Sequence, residues 1–139
     1  MLTQNIQLNI LIATLTSFFV AGALKILILY FKKEKVRFKE AFSTGGMPSS
    51  HTATVIGLTT SIFMHEGFTT VFLVSLFFSI IVMADAIGVR METGRQAKAL
   101  NRITKSKLFN ELAGHTPKQV LGGVLVGITV AVLLFFASF

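Results

Sequence analysis

Two short polar segments carry side chains suited to work on a phosphate group. The first, residues 44–52, combines paired glycines with Pro48, Ser49, Ser50 and His51. Paired glycines let the backbone approach a ligand, serine caps helices well, and the free N–H groups of a helix N-terminus bind anions. His51 could then protonate a leaving oxygen. The segment predicts an anion site with a proton donor beside it; the alternative is a well-capped membrane helix.

The second segment, Glu111 to Gln119, also opens a helix, because Pro117 suits a first turn. His115 and Gln119 are four residues apart, so they share a helical face and the amide could orient the imidazole. Two histidines that each open a helix offer one candidate nucleophile and one candidate acid for phosphoryl transfer.

Charged residues that could complete such a site lie near the ends of two apolar stretches. Arg90 and Arg95 follow Asp85, and arginine binds phosphate oxygens with a planar fork of donors. Lys25 and Asp85 lie within apolar stretches, where an ionisable residue is costly and commonly marks a site. Two alternatives stay open: Lys25 could snorkel to the surface, and Asp85 could simply pair with an arginine.

The amino-acid composition indicates which class of fold positions these residues. The chain has 139 residues, 53% of them hydrophobic and 14% charged, and its mean hydropathy is +0.73. These values exclude a soluble globule and a nucleic-acid-binding surface on a soluble scaffold. A membrane core of roughly 30 Å needs about 20 apolar helical residues. We predict an all-α integral membrane bundle of four transmembrane helices in one domain, residues 1–139, with a short second helix. The spans are Ile6–Phe31, His51–His65, Phe68–Val89 and Gln119–Phe139.

The distribution of charge predicts the orientation. All thirteen basic residues fall on one side of this topology, mainly in Lys32–Lys39 and Arg90–Lys107. The positive-inside rule therefore predicts a multi-pass protein of the cell membrane with both long basic loops in the cytoplasm. The same topology brings the span ends that carry Lys25, His51, Asp85 and His115 to that face. We expect Arg90–Lys107 to be a loop.

Other sites are less well supported by the sequence. The chain has no cysteine, which excludes disulfides and thiolate metal sites, and the acidic residues and histidines have no recognised metal-ligand spacing. We therefore expect neither a metal nor another cofactor. Gly123 and Gly127 form a small-residue motif that serves either packing within the bundle or a homodimer. His65 is expected on the surface.

Taken together, the motifs resemble the divergent branch of the type-2 phosphatidic acid phosphatase family, which is related to acid phosphatases and vanadium haloperoxidases. The resemblance spans residues 43–123, and the combined order of the motifs is more specific than any one of them. The first motif is Ser-Thr-Gly-Gly-Met-Pro-Ser-Ser-His at 43–51. The second is Asp-Ala-Ile-Gly-Val-Arg at 85–90, followed by Gly-Arg-Gln-Ala at 94–97 and Leu-Asn at 100–101. The third is Gly-His-Thr-Pro at 114–117, followed by Gln-Val at 119–120 and Gly-Gly at 122–123.

The resemblance implies catalysis through a phosphohistidine without metal, with His115 as nucleophile and His51 as acid. Lys25, seven residues before Lys32, resembles the first family motif with lysine in place of arginine. The expected phosphate-binding residues are Lys25, Ser49, Ser50, Arg90, Arg95 and Gln119.

The third motif departs from the family pattern. Phe109 stands where the family has arginine, six residues before the histidine, and Gln119 stands where it has aspartate, four residues after. Arg90 or Arg95 could supply the guanidinium, and Asp85 or Glu111 could supply the carboxylate.

The expected activity is hydrolysis of a lipid phosphate or diphosphate, such as a phosphatidate or a polyprenyl phosphate, by a protein embedded in the lipid bilayer. Two other classes stay open. The chain could bind or transport a phosphorylated lipid without turning it over, or it could be a small structural membrane protein. We expect no nucleic-acid partner.

Overall fold

The computed structural model describes residues 2–32 and 45–137, with side chains from residue 5 onward. Most of the predicted basic stretch Lys32–Lys39, together with Ser43 and Thr44, lies outside the described residues. The described chain is helical and contains no strand, which confirms the predicted all-α membrane bundle. Its helices are α1 (Leu2–Phe31), α2 (Ser50–Glu66), α3 (Thr70–Ile87), α4 (Val89–Thr104) and α5 (Pro117–Ala137).

Within residues 2–32 and 45–137, three helical stretches are long and apolar enough to cross a membrane. These are Asn5–Phe31, Thr70–Thr104, which takes in α3 and α4, and Pro117–Ala137. The remaining helix of the bundle, α2, has only 17 residues, as the sequence predicted. At ~1.5 Å per residue it is about 26 Å long. It lies between α1, α3 and α5 and packs against all three.

Small side chains let the helices approach α2 closely. Gly57 faces Ser17 and the Ala13 carbonyl of α1, and Gly127 of α5 faces the Ala53 carbonyl. The largest apolar residues point outward instead, and Phe19 and Leu133 are about three-fifths exposed. This inside-out pattern suits a bilayer, where lipid covers the large residues and close packing joins the helices.

Hydroxyl groups fill much of the remaining interior. The Thr59 and Ser79 hydroxyls lie 2.8 Å apart between α2 and α3, and Ser79 also donates to the Val55 carbonyl. The Thr59 and Ser79 hydroxyls thus both have hydrogen-bond partners, which removes the penalty of burying them in an apolar surround. The interior of the bundle is therefore compact and partly polar.

The chain between α3 and α5 differs from the sequence prediction. Arg90–Lys107 was expected to be a loop, and most of it forms α4. Residues such as Glu92, Arg95, Gln96 and Ala97 favour helix. The segment is too polar to be recognised by a search for apolar membrane spans. The predicted third span ends at Ile87 instead of Val89, because Gly88 breaks the helix there. His65 also differs: it is half buried, with its ring centroid 4.9 Å from that of Phe135.

The glycine pair in α5 offers a test of this packing. A Cβ on Gly123 would lie 2.5 Å from the Ser49 carbonyl oxygen, whereas a Cβ on Gly122 would meet the flexible end of Met47 at 3.2 Å. Both Gly→Ala changes gain the same helix propensity. We expect Gly123→Ala to destabilise the bundle by about 1–3 kcal/mol and Gly122→Ala to be neutral or stabilising. The measurement is the thermal unfolding midpoint in detergent, and equal midpoints would contradict the described packing.

Candidate functional site

The segment before α5 is held on the surface of α4 by close backbone contacts. Gly114 has φ +87°, and a Cβ there would lie 2.3 Å from the Met91 amide nitrogen. Gly94 faces the Ala113 carbonyl oxygen in the same way, at 2.6 Å. Only glycine permits both approaches, since any side chain would collide with backbone. The position of the next residue, His115, is therefore set by α4.

Asn101 fastens the other end of this segment. Its side-chain amide donates to the Phe109 carbonyl oxygen and to Glu111 Oε1, and its Oδ1 accepts from the Phe109 N–H. Asn101 is buried on the same face of α4 as Gly94 and Ala97. From the sequence, Asn101 was part of a family motif but had no assigned structural role. The signal that could have found it is the spacing of a glycine, an alanine and an asparagine along one side of an otherwise charged helix.

His115 itself is almost completely buried. The residue is only 4% exposed, and its backbone N–H donates to the Ala86 carbonyl oxygen. Nδ1 has no hydrogen-bond partner among the described residues, and the same is true of the buried hydroxyl of Ser50. Buried polar atoms are normally paired, so each of these two atoms invites a ligand or water.

Lys25 lies beside the two histidines. It is 1% exposed, although it sits in the longest apolar helix of the chain. A Cβ on Gly46 would lie 3.3 Å from Lys25 Cδ, so the glycine turn packs directly on the lysine stem. The charge of Lys25 acts on both His115 and His51, and that of Arg90 acts on His51. Burial excludes snorkelling to the surface as the explanation of Lys25.

The start of α2 supplies hydrogen-bond donors near this cluster. Ser49 is the N-cap, because its Oγ accepts from the Thr52 N–H and the Thr52 hydroxyl. The first N–H groups of a helix, here those of Ser50 and His51, have no partner inside the helix and attract anions. His51 is exposed. A cavity of about 180 Å³ adjoins the site, and its lining includes Gly45, Gly46, Gly114, His115, Thr116 and Gln119.

Burial chiefly lowers the pKa of His115, and the positive charge of Lys25 lowers it further. The side chain of Gln119 and the backbone of Gly46 act in the opposite direction, because they favour the protonated ring. Neither gives Nδ1 a hydrogen bond of normal geometry. The ring is therefore neutral at neutral pH, which is the form that can act as a nucleophile.

The remaining predicted site residues are engaged elsewhere. Asp85 forms an ion pair with Arg90, the arrangement that the sequence left open as an alternative. Arg95 pairs with Glu92 on the exposed side of α4, and no hydrogen bond or ion pair links it to a histidine in the described part of the chain. Gln119 Oε1 accepts from the Thr116 N–H and so caps α5.

The comparisons with known proteins agree with the motifs. A family model described as "Divergent PAP2 family" matches residues 6–130. The chain belongs to the divergent PAP2 family. The match takes in most of α1, all of α2 to α4 and most of α5, and therefore every residue of the cluster described above.

A relative from Bacillus subtilis (strain 168), described as the uncharacterized membrane protein YuiD, is 33% identical to this chain. The similarity covers 91% of this chain and 93% of the relative. No solved structure matches the chain. Membership of the divergent PAP2 family and the similarity to a membrane protein support the bilayer-embedded fold.

The electrostatic contact between Lys25 and His115 can be measured directly. We expect the pKa of His115 to lie below 6.5 and to rise toward that value in Lys25→Met, because a nearby positive charge disfavours protonation of the ring. Lys118→Met removes an exposed lysine from the same region of the chain and should change the pKa much less. NMR titration of histidine-labelled protein provides the readout. An unchanged pKa in Lys25→Met would contradict the described cluster.

Proposed function

We propose that this protein is an integral membrane phosphatase that hydrolyses a lipid phosphate or diphosphate, such as a phosphatidate or a polyprenyl phosphate. The observation that carries the proposal is the convergence of buried His115, with its unpartnered Nδ1, on buried Lys25 and on His51 beside the glycine turn. A neutral imidazole, an ammonium and a helix N-terminus together suit a phosphate anion better than any neutral substrate.

In the proposed first step, a ring nitrogen of His115 attacks phosphorus. An N–P bond forms, the P–O bond to the leaving group breaks, and His51 gives its proton to the departing oxygen. Water then attacks phosphorus and gives a proton to His51. The N–P bond breaks, and inorganic phosphate leaves. His51 thus acts first as acid and then as base.

The remaining residues hold the phosphate oxygens as negative charge develops. Lys25 contributes a full positive charge inside the bundle, where electrostatic interactions are stronger than in water. The N–H groups of Ser50 and His51 and the Ser50 hydroxyl are the proposed neutral donors. Arg90 shares its guanidinium with Asp85, so we give it a supporting role through its effect on His51.

The surroundings suit a substrate with a lipid tail. Large apolar side chains cover the outside of the bundle, so a substrate can reach the site from the bilayer with its chain still in hydrocarbon. By the positive-inside rule we place the site and both basic segments on the cytoplasmic face of the cell membrane. The Gly123–Gly127 motif packs on α2 within the chain, so a homodimer would need another face of the bundle.

A second candidate function is binding or transport of the same lipid without hydrolysis. Among the described residues, no carboxylate is hydrogen-bonded to His115: Asp85 pairs with Arg90, and Glu111 bonds to Asn101. In serine proteases, replacing the carboxylate that orients the histidine by its amide lowers turnover about ten-thousand-fold. An equivalent loss here would leave a pocket that binds phosphate and turns it over slowly.

The assay that separates these functions is release of inorganic phosphate from lipid phosphates by the purified protein in detergent. We expect His115→Ala to remove activity and His51→Ala to reduce it by about 10²–10⁴-fold. His65→Ala, at the other end of α2, is the matched control and should retain activity. Equal rates in all four proteins would refute the phosphatase. Tight binding of the lipid phosphate with no release over hours would establish the binder.

Gln119 offers a test of what limits the rate. In Gln119→Glu the new carboxylate can still accept from the Thr116 N–H, and it places a negative charge near His115. We expect hydrolysis to rise by at least about tenfold, since a carboxylate stabilises the imidazolium and fixes its orientation. Gln96→Glu, on exposed α4, makes the same chemical change away from the site. A rate at or below wild type in Gln119→Glu would show that orientation of His115 is not limiting.

A further inference from the structure

A basic cleft lies at the end of α4, separate from the histidine cluster. It has a volume of about 370 Å³ and carries three cationic side chains and one carboxyl group. Three cations against one carboxyl group, that of Glu111, give the cleft an excess of positive charge. We call it the headgroup cleft; its lining residues are Asn101, Arg102, Lys105, Ser106, Lys107 and Glu111.

The backbone around the headgroup cleft is fixed by hydrogen bonds. Lys105 has the left-handed conformation that ends α4, and the Ser106 N–H donates to the Asn101 carbonyl oxygen. The Thr104 and Ser106 hydroxyls lie 2.8 Å apart, and Asn101 binds both the N–H and the carbonyl of Phe109. The cationic side chains therefore project from a turn that is already ordered, which lowers the entropy cost of binding an anion.

Large apolar side chains flank the same turn. Ile103 is 77% exposed and Leu108 is 76% exposed, and Leu100 is exposed as well. On α4, Leu100 and Ile103 are neighbours one turn apart, whereas Lys98 and Arg102 lie together on another side of the helix. Helices with adjoining apolar and basic faces lie in the plane of a membrane surface, with the apolar side chains below the headgroups.

We propose that the headgroup cleft binds the phosphate group of an anionic phospholipid, while Ile103 and Leu108 insert into the bilayer beside it. The position of α4 supports this partner, because this polar helix follows apolar α3 after the single residue Gly88. A lipid supplies both the anion that the cations attract and the apolar surround that the exposed residues lack. The inference is independent of the proposed phosphatase chemistry.

The binding has a consequence for the histidine site. The segment between α4 and α5 borders the headgroup cleft. It also packs on α4, where Gly94 of α4 and Gly114 of the segment allow close contact next to His115. An anionic lipid held at the end of α4 would therefore steady the surface that positions His115. The lipid acts here as a structural ligand, bound at a different place from the substrate.

The absence of cysteine makes a direct test possible. A fluorophore is attached to Ile103→Cys in nanodiscs, and quenching is compared for brominated phosphatidylglycerol and brominated phosphatidylcholine at equal mole fraction. We expect quenching by the anionic lipid to be at least about fivefold stronger, the contribution of one basic residue near an anionic surface. The same fluorophore on Lys98→Cys should be quenched weakly by both lipids.

Charge variants identify the residues responsible. Arg102→Gln with Lys105→Gln should abolish the preference at position 103, while Lys98→Gln with Lys118→Gln removes the same charge and should preserve it within about twofold. Equal quenching of the Ile103→Cys protein by the two lipids would overturn the proposal without any charge variant. So would an absence of quenching by either lipid, which would mean that water or another protein covers this face.

Discussion

A lysine that is 1% exposed lies inside a bundle of apolar helices, and much of the rest of the structure is arranged around it. Lys25 faces neither lipid nor bulk water. Its stem is covered by Gly46, where a larger residue would press on it, and its charge reaches both His51 and His115. Through these contacts Lys25 links α1 to the glycine turn and to the segment before α5.

The helix contacts inside the bundle are built from small and hydroxyl-bearing residues. Close packing of α1 and α5 on α2 requires Gly57, Gly123 and Gly127 at the contacts. This packing brings the end of α1, the start of α2 and the start of α5 together at one end of the bundle. Helix α4 then fixes the position of His115, just before α5, through its contact with the backbone of Gly114. Fold and site therefore depend on a few positions where only glycine leaves enough room.

Much of this arrangement could be predicted from the sequence. Apolar stretches near 20 residues long revealed the spanning helices, and Ser49 or Ser50 was expected to cap α2. The topology was expected to bring Lys25, His51, Asp85 and His115 to one face. Helix α4 could not be found by the same reasoning, because it is amphipathic and too polar to register as a span. Nor could the sequence decide how charges pair. Asp85 has two arginines within reach along the chain, and only the three-dimensional structure shows that it pairs with Arg90 while Arg95 pairs with Glu92.

We propose that Lys25, His51 and His115 surround a single anion. A structure of the protein determined with vanadate is a direct test, because vanadate resembles both phosphate and the five-coordinate state through which phosphorus passes. We expect vanadium bonded to a ring nitrogen of His115, with its oxygens within hydrogen-bonding distance of Lys25 Nζ and of the N–H groups that begin α2. Vanadate bound only elsewhere, such as at the headgroup cleft, with His115 Nδ1 and Ser50 Oγ still unpartnered, would contradict it.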